Sequence, residues 1–233
     1  TPKGTAYTRN GAFQLDKSGQ LVTANGDKVM GYPLDPLTGT RSTATAEPVK
    51  FPSGSAIPAN PTTKAEIRLN LDARAPLAAG DPAATPPVPA TPRQTYGTSF
   101  QAFDSLGVAH PVSVYFEKTG PNTWAVFDGL DDPTATPPVT ATNLGTLTFN
   151  ADGSLDTAAS TLAPVSLNLT NGATTPLSVN IDLSNATQFG SSFAVAKIVQ
   201  DGYASGELTG VSVSGDGTLM ASYSNGITRP EAQ

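Results

Sequence analysis

The sequence contains no cysteine, and only 14% of its 233 residues are charged. Without thiols the chain can form neither disulfides nor thiolate metal sites, and thiol catalysis is excluded. The formal net charge of −6 disfavours binding to a nucleic-acid backbone or to an anionic membrane surface. No apolar run approaches the roughly 18 residues that span a bilayer. We therefore expect no nucleic-acid partner and no membrane segment, with stability supplied by packing and sheet hydrogen bonds.

Glycine (22 residues) and proline (21 residues) are abundant, and apolar residues make up 38% of the chain. This composition is typical of short strands joined by many turns. No apolar pattern at helical spacing exceeds about two turns, so we predict an all-β fold with little or no helix, apart from one short turn within Asp182–Phe189. The predicted strands are Ala65–Leu71, Ser99–Asp104, Pro111–Lys118, Thr123–Phe127, Leu162–Leu169, Leu177–Leu183, Phe193–Val199 and Ala221–Ser224.

One turn pattern occurs three times between short apolar runs. It is Asp16-Lys17-Ser18-Gly19, Asn150-Ala151-Asp152-Gly153 and Ser214-Gly215-Asp216-Gly217. The final glycine supplies the positive φ that a tight turn needs, so the pattern predicts three hairpins. Their irregular spacing argues against a solenoid.

Two proline-rich segments, residues 81–91 and 132–140, contain almost no core residues and closely match each other. Proline removes a backbone donor, so neither segment can be a central strand. We interpret both as long exposed loops with polyproline character; a ligand for a proline-binding module is the alternative.

Two further segments, Phe51–Pro61 and Thr187–Ser192, look like crossings between domains. The predicted organisation is therefore a discontinuous β-rich domain made of residues 1–60 and 190–233, with a second β-rich domain, residues 61–189, inserted into it.

A search for a catalytic or ligand site identifies no residue that we assign to one. Asp104, Ser105 and His110 could be imagined as a triad, but they share one apparent turn and are interpreted as an exposed turn. The stretch Asn150–Asp156 loosely resembles a calcium loop but lacks the terminal Glu. Trp124, the single tryptophan, is assigned to the core. We predict no catalytic, cofactor-binding or metal-binding residue, no cofactor, no small-molecule substrate and no enzymatic activity.

Three stretches carry a resemblance to a known family. Tyr7-Thr8-Arg9-Asn10-Gly11-Ala12-Phe13 through Gly31-Tyr32-Pro33 is similar to the motif shared by bacterial flagellar hook and rod proteins. Gln200-Asp201-Gly202-Tyr203 through Gly210 resembles the hook protein's own segment, and Phe103–Gly107 with Val114–Val126 resembles the hook's inserted domain. The resemblance spans nearly the whole chain, so it favours the hook over the distal rod, which is expected to lack the large inserted middle.

The resemblance implies a core fragment of a hook subunit that lacks the terminal helical segments. It further implies export of the unfolded chain through the flagellar channel, and assembly outside the cell into a flexible helical tube that transmits torque as a universal joint. The implied partners are further copies and the distal rod, hook-cap and hook–filament junction proteins. Two rivals remain open: a secreted carbohydrate-binding or adhesive β-sandwich, which needs an exposed aromatic platform, and a secreted β-rich hydrolase, which needs His110 in a pocket with distant carboxylates.

Overall fold

Strands account for almost all regular structure in the part of the chain that the computed structural model describes, which is residues 4–8, 11–35, 39–51 and 56–233. A short 3-10 helix at Arg93–Thr95 is the one helical element in these ranges, so the all-β prediction is confirmed. The strands are β1 (Phe13–Leu15), β2 (Leu21–Thr23), β3 (Met30–Gly31), β4 (Glu47–Pro48), β5 (Lys64–Asp72), β6 (Gly97–Phe103), β7 (Ala109–Gly120), β8 (Thr123–Phe127), β9 (Asn143–Thr148), β10 (Thr161–Leu162), β11 (Val165–Leu167), β12 (Leu177–Asp182), β13 (Thr187–Phe189), β14 (Ala194–Gln200), β15 (Leu208–Val213), β16 (Leu219–Tyr223) and β17 (Thr228–Ala232).

The chain divides into two compact units. The first unit contains Thr1–Ala59 and Ala204–Gln233, and the second contains Asn60–Tyr203. The second unit is therefore a continuous segment, while both parts of the first come from the two ends of the chain.

The second unit contains two sheets. One is antiparallel with strand order β10-β9-β8-β7-β6, and the other has the order β11-β12-β5-β13, with β14 also paired to β5. The strand β5 is parallel to β12 and β13 and antiparallel to β14. Because β5 bonds to strands that follow it by more than a hundred residues, the fold of this unit depends on long-range pairing.

Alternation of apolar and polar residues explains which face of each strand is buried. In β5 the buried residues are Ala65, Ile67, Leu69 and Leu71, with the residues between them facing outward. This is the period-2 pattern of a strand with one face on a core. The same holds in β7 and β12, and the buried faces of the two sheets contribute to one hydrophobic cluster. Trp124 and Phe116 are its largest fully buried members.

The first unit is built from short strands in series. The strand β1 pairs with β2, β3 with β4, and β15 with β16, which in turn pairs with β17. Backbone hydrogen bonds join these groups. Leu21 N donates to Val49 O at 3.0 Å, and Tyr32 and Gln233 exchange two bonds, of 2.7 and 2.9 Å. These strands are too short to be stable in isolation, so their order depends on each other.

The three predicted hairpin turns are present in the structure. The amide of each final glycine donates to the first residue of its turn, at 3.0 Å in Gly19, Gly153 and Gly217. Their φ angles are 78°, 84° and 86°, which is the left-handed region where a side chain is disfavoured. The aspartate of each turn also accepts a hydrogen bond from the backbone amide two residues further along the chain. Asp152, for example, accepts one from Ser154.

Three sequence-based expectations differ from the structure. The short helical turn expected within Asp182–Phe189 is wrong, because Thr187–Phe189 forms β13 along β5 instead. The single strand predicted over Leu162–Leu169 is split into β10 and β11, since Pro164 between them has no backbone N–H to donate. The strand β17 was not predicted, because it contains Pro230 and proline argues against a strand.

The return crossing predicted at Thr187–Ser192 lies inside the second unit. The strand β14 follows this segment and pairs with β5 from Ala65 to Asn70. Asp201 then accepts hydrogen bonds from Thr63 N and Lys64 N, at 2.8 and 3.0 Å, and fixes the end of the unit. The chain therefore leaves the second unit after Tyr203, whereas the predicted boundary at residue 190 lies before β14.

A buried amide supports the core of the second unit and gives a first prediction. Trp124 Nε1 donates to Gln188 Oε1 at 2.7 Å, and Gln188 Nε2 donates to Asn122 Oδ1 at 3.1 Å. Replacing Gln188 with Leu leaves the buried indole N–H without an acceptor, so we expect Gln188→Leu to lower the free energy of unfolding by about 1–3 kcal/mol. Urea denaturation followed by the fluorescence of the single tryptophan measures this change.

The matched control is Gln101→Leu, since Gln101 is exposed on β6. The same chemical change there should alter the free energy of unfolding by less than about 0.5 kcal/mol. Equal effects of the two substitutions would show that the Trp124–Gln188 hydrogen bond does not stabilise the core.

Candidate functional site

The turn between β6 and β7 holds the most concentrated polar cluster of the second unit. Asp104 is fully buried, and His110 Nε2 lies 2.8 Å from its Oδ2. Asn171 Nδ2 donates to the same oxygen at 2.6 Å, and the amides of Leu106 and Val108 both donate to Oδ1 at 2.9 Å. Every lone-pair direction of the carboxylate thus has a donor, which is what a buried charge requires.

This cluster lacks the geometry of a hydrolytic triad. His110 and Asp104 do pair, as a triad needs, but Ser105 Oγ accepts a hydrogen bond from the amide of Thr174 at 2.9 Å. No hydrogen bond joins Ser105 to His110 in the described structure, so nothing there activates the hydroxyl as a nucleophile. The expectation that these residues form an exposed turn is also wrong in part, because Asp104 is buried and ties the turn to the segment Asn171–Thr174.

Burial alone would raise the pKa of Asp104. The hydrogen bonds from His110, Asn171 and the backbone amides of Val108 and Leu106 outweigh burial and hold the pKa below its usual value of 3.8. The folded protein therefore favours the ionised carboxylate, and the cluster acts as a fixed anchor between two segments of the chain.

The stretch resembling a calcium loop is a hairpin turn. Asp152 Oδ1 accepts hydrogen bonds from the amide and the hydroxyl of Ser154, at 3.0 and 2.6 Å, and these bonds lower the pKa of Asp152. The carboxylate is therefore used within its own turn. No group of three or more metal-ligating side chains lies together anywhere in the described ranges.

Trp124 is fully buried, as predicted, and its ring packs edge-on against Tyr96 with 5.4 Å between centroids. It cannot serve as an exposed platform for a sugar ring. Trp124 therefore does not provide the exposed aromatic platform that a carbohydrate-binding β-sandwich needs.

Sequence reasoning did not single out Lys118, which is buried in the same core. Its Nζ donates to Ala73 O and Ala75 O, at 2.5 and 3.0 Å, and lies 5.9 Å from the centre of the Trp124 ring. Burial lowers the pKa of this amine. The alternating pattern of β7 ends at Lys118, so the sequence indicates that this side chain faces the core. Its carbonyl acceptors belong to the turn after β5, and the sequence does not indicate that they lie nearby.

The two proline-rich segments form the same structure twice. Asp81 and Val88 exchange backbone hydrogen bonds of 2.8 and 2.9 Å, and Asp132 and Val139 do so at the same two distances. In each copy the aspartate side chain also accepts from the amide two residues on, Ala83 or Thr134. We call these closed hairpins, residues 81–88 and 132–139, the twin loops. They are exposed as predicted, but they are closed hairpins and not extended polyproline segments.

Arg93, which follows the first of the twin loops in the chain, bonds to the base of the second. Its Nε bonds to Glu117 on β7 at 2.7 Å, and its Nη1 bonds to Asp131, directly before the second loop, at 3.0 Å. The guanidinium carbon also lies 3.8 Å from the centre of the Phe127 ring. A planar, always charged guanidinium suits this combination of paired and stacked contacts, which ties the base of the second loop to the sheet.

The tips of the twin loops carry no charge. Beyond the aspartate at the base, each has only alanine, threonine, proline and valine, and Val139 is 51% exposed. Such a surface offers weak apolar and hydroxyl contacts.

None of the described helices could cross a membrane.

The Asp104 cluster yields a pH-dependent prediction. A group whose pKa is lowered by folding stabilises the fold above its unfolded pKa of about 3.9, and this stabilisation is lost as the pH falls through the folded pKa. We expect Asp104→Asn to lower the free energy of unfolding by about 2–4 kcal/mol at pH 7, because it removes a hydrogen-bonded buried charge. The difference between the two proteins should shrink below about pH 4, as measured by urea denaturation across pH.

Asp152→Asn is the control, since an asparagine oxygen can still accept the hydrogen bonds of that exposed turn. It should change stability little at any pH. A deficit of Asp104→Asn that stays constant from pH 7 to pH 2 would contradict the assignment of its effect to the ionised carboxylate.

Two family models match the chain in succession. The model described as flagellar hook protein FlgE/F/G D1 domain matches residues 1–69, and the one described as flagellar basal body protein FlaE D2 domain matches residues 70–203. The solved structure of the Helicobacter pylori flagellar hook protein FlgE2 has a similar fold. Its TM-score is 0.63 at 16% identity, and the match covers 97% of this chain and 80% of that one.

Curated relatives agree with the family models. The flagellar hook protein FlgE of Salmonella typhimurium is 33% identical over 226 residues, which cover 94% of this chain and 53% of that protein. The FlgE of Escherichia coli is 34% identical over 232 residues, covering 96% of this chain and 54% of that protein. The chain thus spans about half the length of these relatives. The resemblance found in the sequence is confirmed, and the chain belongs to the flagellar hook protein family.

Proposed function

We propose that this chain is the β-rich part of a structural subunit that polymerises into the bacterial flagellar hook. The observation that carries the proposal is the succession of two hook-family matches over residues 1–203, together with hook-protein relatives that cover nearly the whole chain. On this proposal the subunit binds further copies and the neighbouring axial proteins, including the distal rod, hook-cap and hook–filament junction proteins. The assembled tube lies outside the cell and transmits torque.

The character of the surface supports a mechanical function. The ionisable cluster at Asp104 is fully used in holding two segments together, and the twin loops present uncharged side chains. A helical tube that bends while it rotates needs contacts that can slide at low cost. Apolar and hydroxyl contacts without ion pairs have this property, because no desolvated charge must be separated when they shift.

The lack of cysteine supports export of an unfolded chain, since no disulfide has to form or be avoided on the way. We assign the two compact units to two domains of the subunit, with Asn60–Tyr203 inserted into the other. The hinges then lie at the two connections, Ala59–Asn60 and Tyr203–Ala204. This assignment replaces the return crossing predicted at Thr187–Ser192, a segment whose first three residues form β13 beside β5.

Complementation by a chimera tests the proposed function. The segment of the Salmonella typhimurium hook protein that matches this chain is replaced by this chain, and the chimera is expressed in a strain without its own hook protein. Since every subunit then carries the same segment, contacts between like surfaces are preserved. We expect hooks on the cell surface by electron microscopy.

Re-expression of the unaltered Salmonella protein is the positive control, and a chimera carrying Asp104→Asn tests whether the fold of the segment is needed. Secretion of the chimera as a monomer, with no hooks on any cell, would contradict the proposal.

The hinge assignment gives a separate prediction. Inserting two glycines after Ala59 and two after Tyr203 in the chimera should leave assembly intact while making the hook easier to bend, because glycine linkers are flexible. The curvature distribution of isolated hooks in electron micrographs measures this effect. The control is the same four glycines inserted in the second of the twin loops, between Ala135 and Thr136, and an identical curvature distribution for both variants would contradict the hinge positions.

A further inference from the structure

Asparagine is followed by glycine at four places in the sequence, Asn10, Asn25, Asn171 and Asn225. Asn10 lies outside the described residues, and the structure describes the other three pairs. An asparagine before glycine is prone to lose its side-chain amide spontaneously, because the backbone nitrogen of glycine can attack that amide with no side chain in the way. Since the dipeptide is the same in every pair, the fold decides which of them react.

The turn at Asn25 follows β2. Thr23 N donates to Asp27 O and Gly26 N donates to Thr23 O, both at 2.9 Å, so the turn is closed by two backbone hydrogen bonds. Asn25 itself is exposed, and no hydrogen bond involves its side chain in the part of the chain that the structure describes. Its amide group is therefore free to rotate towards the nitrogen of Gly26, which is the motion that ring closure needs.

The turn at Asn225 has the same backbone form. Tyr223 N donates to Ile227 O at 2.9 Å, and Gly226 N donates to Tyr223 O at 3.0 Å. The φ angles of Gly26 and Gly226 are 85° and 82°, and a Cβ placed on either would meet no atom within 4 Å. The backbone therefore restrains the attacking nitrogen equally in the two turns, and only the asparagine side chains differ in their surroundings.

Contacts on both of its polar atoms hold the side chain of Asn225. Its Nδ2 donates to Ala204 O at 2.7 Å, and its Oδ1 accepts from Ile227 N at 3.1 Å. Gly206 packs against the same amide, since a Cβ placed there would lie 2.6 Å from Cγ of Asn225. Ring closure would take the amide out of this position and break both hydrogen bonds, so we expect Asn225 to be protected.

Asn171 is restrained in a similar way within the Asp104 cluster. Its Nδ2 donates to Asp104 Oδ2 at 2.6 Å, and its Oδ1 accepts from Ala173 N at 3.1 Å. Replacing this amide with a carboxylate would also place a second negative charge beside the buried Asp104, which is unfavourable. We therefore expect protection at Asn171 as well.

We propose that the fold selects Asn25 as a site of spontaneous covalent modification, at which asparagine is converted into aspartate and isoaspartate. The backbone nitrogen of Gly26 attacks Cγ of Asn25 and loses its proton, and the side-chain nitrogen leaves as ammonia. Water then opens the resulting succinimide ring. Addition at Cγ gives aspartate, and addition at the backbone carbonyl carbon of Asn25 gives isoaspartate. Water is the only co-reactant.

Both products alter the turn. The new carboxylate adds one negative charge to a chain whose formal net charge is −6. Isoaspartate also adds a methylene group to the backbone between Thr23 and Asp27, whose hydrogen bond closes the turn. The modification goes beyond the proposed assembly and does not depend on it.

The experiment incubates the purified chain at mildly alkaline pH and follows each asparagine by peptide mass spectrometry, which detects the replacement of an amide by a carboxylate. Trypsin places Asn25 and Asn225 on different peptides, residues 18–28 and 198–233. An isoaspartyl methyltransferase assay identifies the second product. We expect Asn25 to react at least tenfold faster than Asn225 or Asn171. Equal rates at the three sites in the folded protein would overturn the proposal.

The same incubation in guanidinium chloride tests whether the fold causes the difference. In the unfolded chain Asn225 and Asn171 lose their hydrogen bonds, so their rates should rise to approach the rate of Asn25. If the lead of Asn25 is the same in the unfolded chain, its neighbours in sequence select it and the proposal is wrong.

The variant Gly206→Ala tests the protection of Asn225 in the folded state. The added Cβ displaces the Asn225 side chain, so we expect its reaction to be at least threefold faster while the rate at Asn25 stays unchanged. Gly210→Ala is the matched control, because a Cβ placed on Gly210 meets no atom within 4 Å. Equal rates at Asn225 in the two variants would contradict its protection by these contacts. If Gly206→Ala does not fold, the comparison of sites in the unaltered chain still decides.

Discussion

Pairing of β5 with strands distant in sequence is the constraint on which the second unit depends. The strand bonds to β12 and β13 in parallel and to β14 in antiparallel orientation, and its own alternate side chains enter the core. Parallel pairing needs a long crossover, and here the crossover contains the whole antiparallel sheet β6 to β10. The inserted unit is thus closed by hydrogen bonds between its first and last strands, which explains how it can be inserted without breaking the other unit.

Polar groups buried in this unit have structural tasks that are fully satisfied. Within the described residues no buried side-chain nitrogen or oxygen is left without a hydrogen-bond partner. Gln188 holds the indole of Trp124, Lys118 binds two carbonyls of the turn after β5, and Asp104 binds donors from two segments. Groups used in this way hold neighbouring segments of the unit together.

The sequence predicts the local features of this fold well, because they depend on neighbouring residues. The strand Thr123–Phe127 is found at its predicted bounds, and the three glycine turns are present with positive φ. What could not be predicted depends on distant residues. Nothing local shows that the segment after Ser192 pairs with β5, that Gln188 meets Trp124, or that Arg93 joins Glu117 to Asp131. The boundary predicted at residue 190 differs for this reason from the division of the chain after Tyr203.

The twin loops show how a chain with few charges can still present a defined surface. An isolated proline-rich loop would lose much of its binding energy to ordering, but each of these loops is closed by paired backbone hydrogen bonds, and the second is restrained at its base by the Arg93–Asp131 ion pair. Pre-organisation lowers the entropy cost of each contact, and the lack of charge keeps the contact weak and easily exchanged. A surface of this kind loses little conformational entropy when it binds, and it holds no ion pair that must be separated when the contact is released.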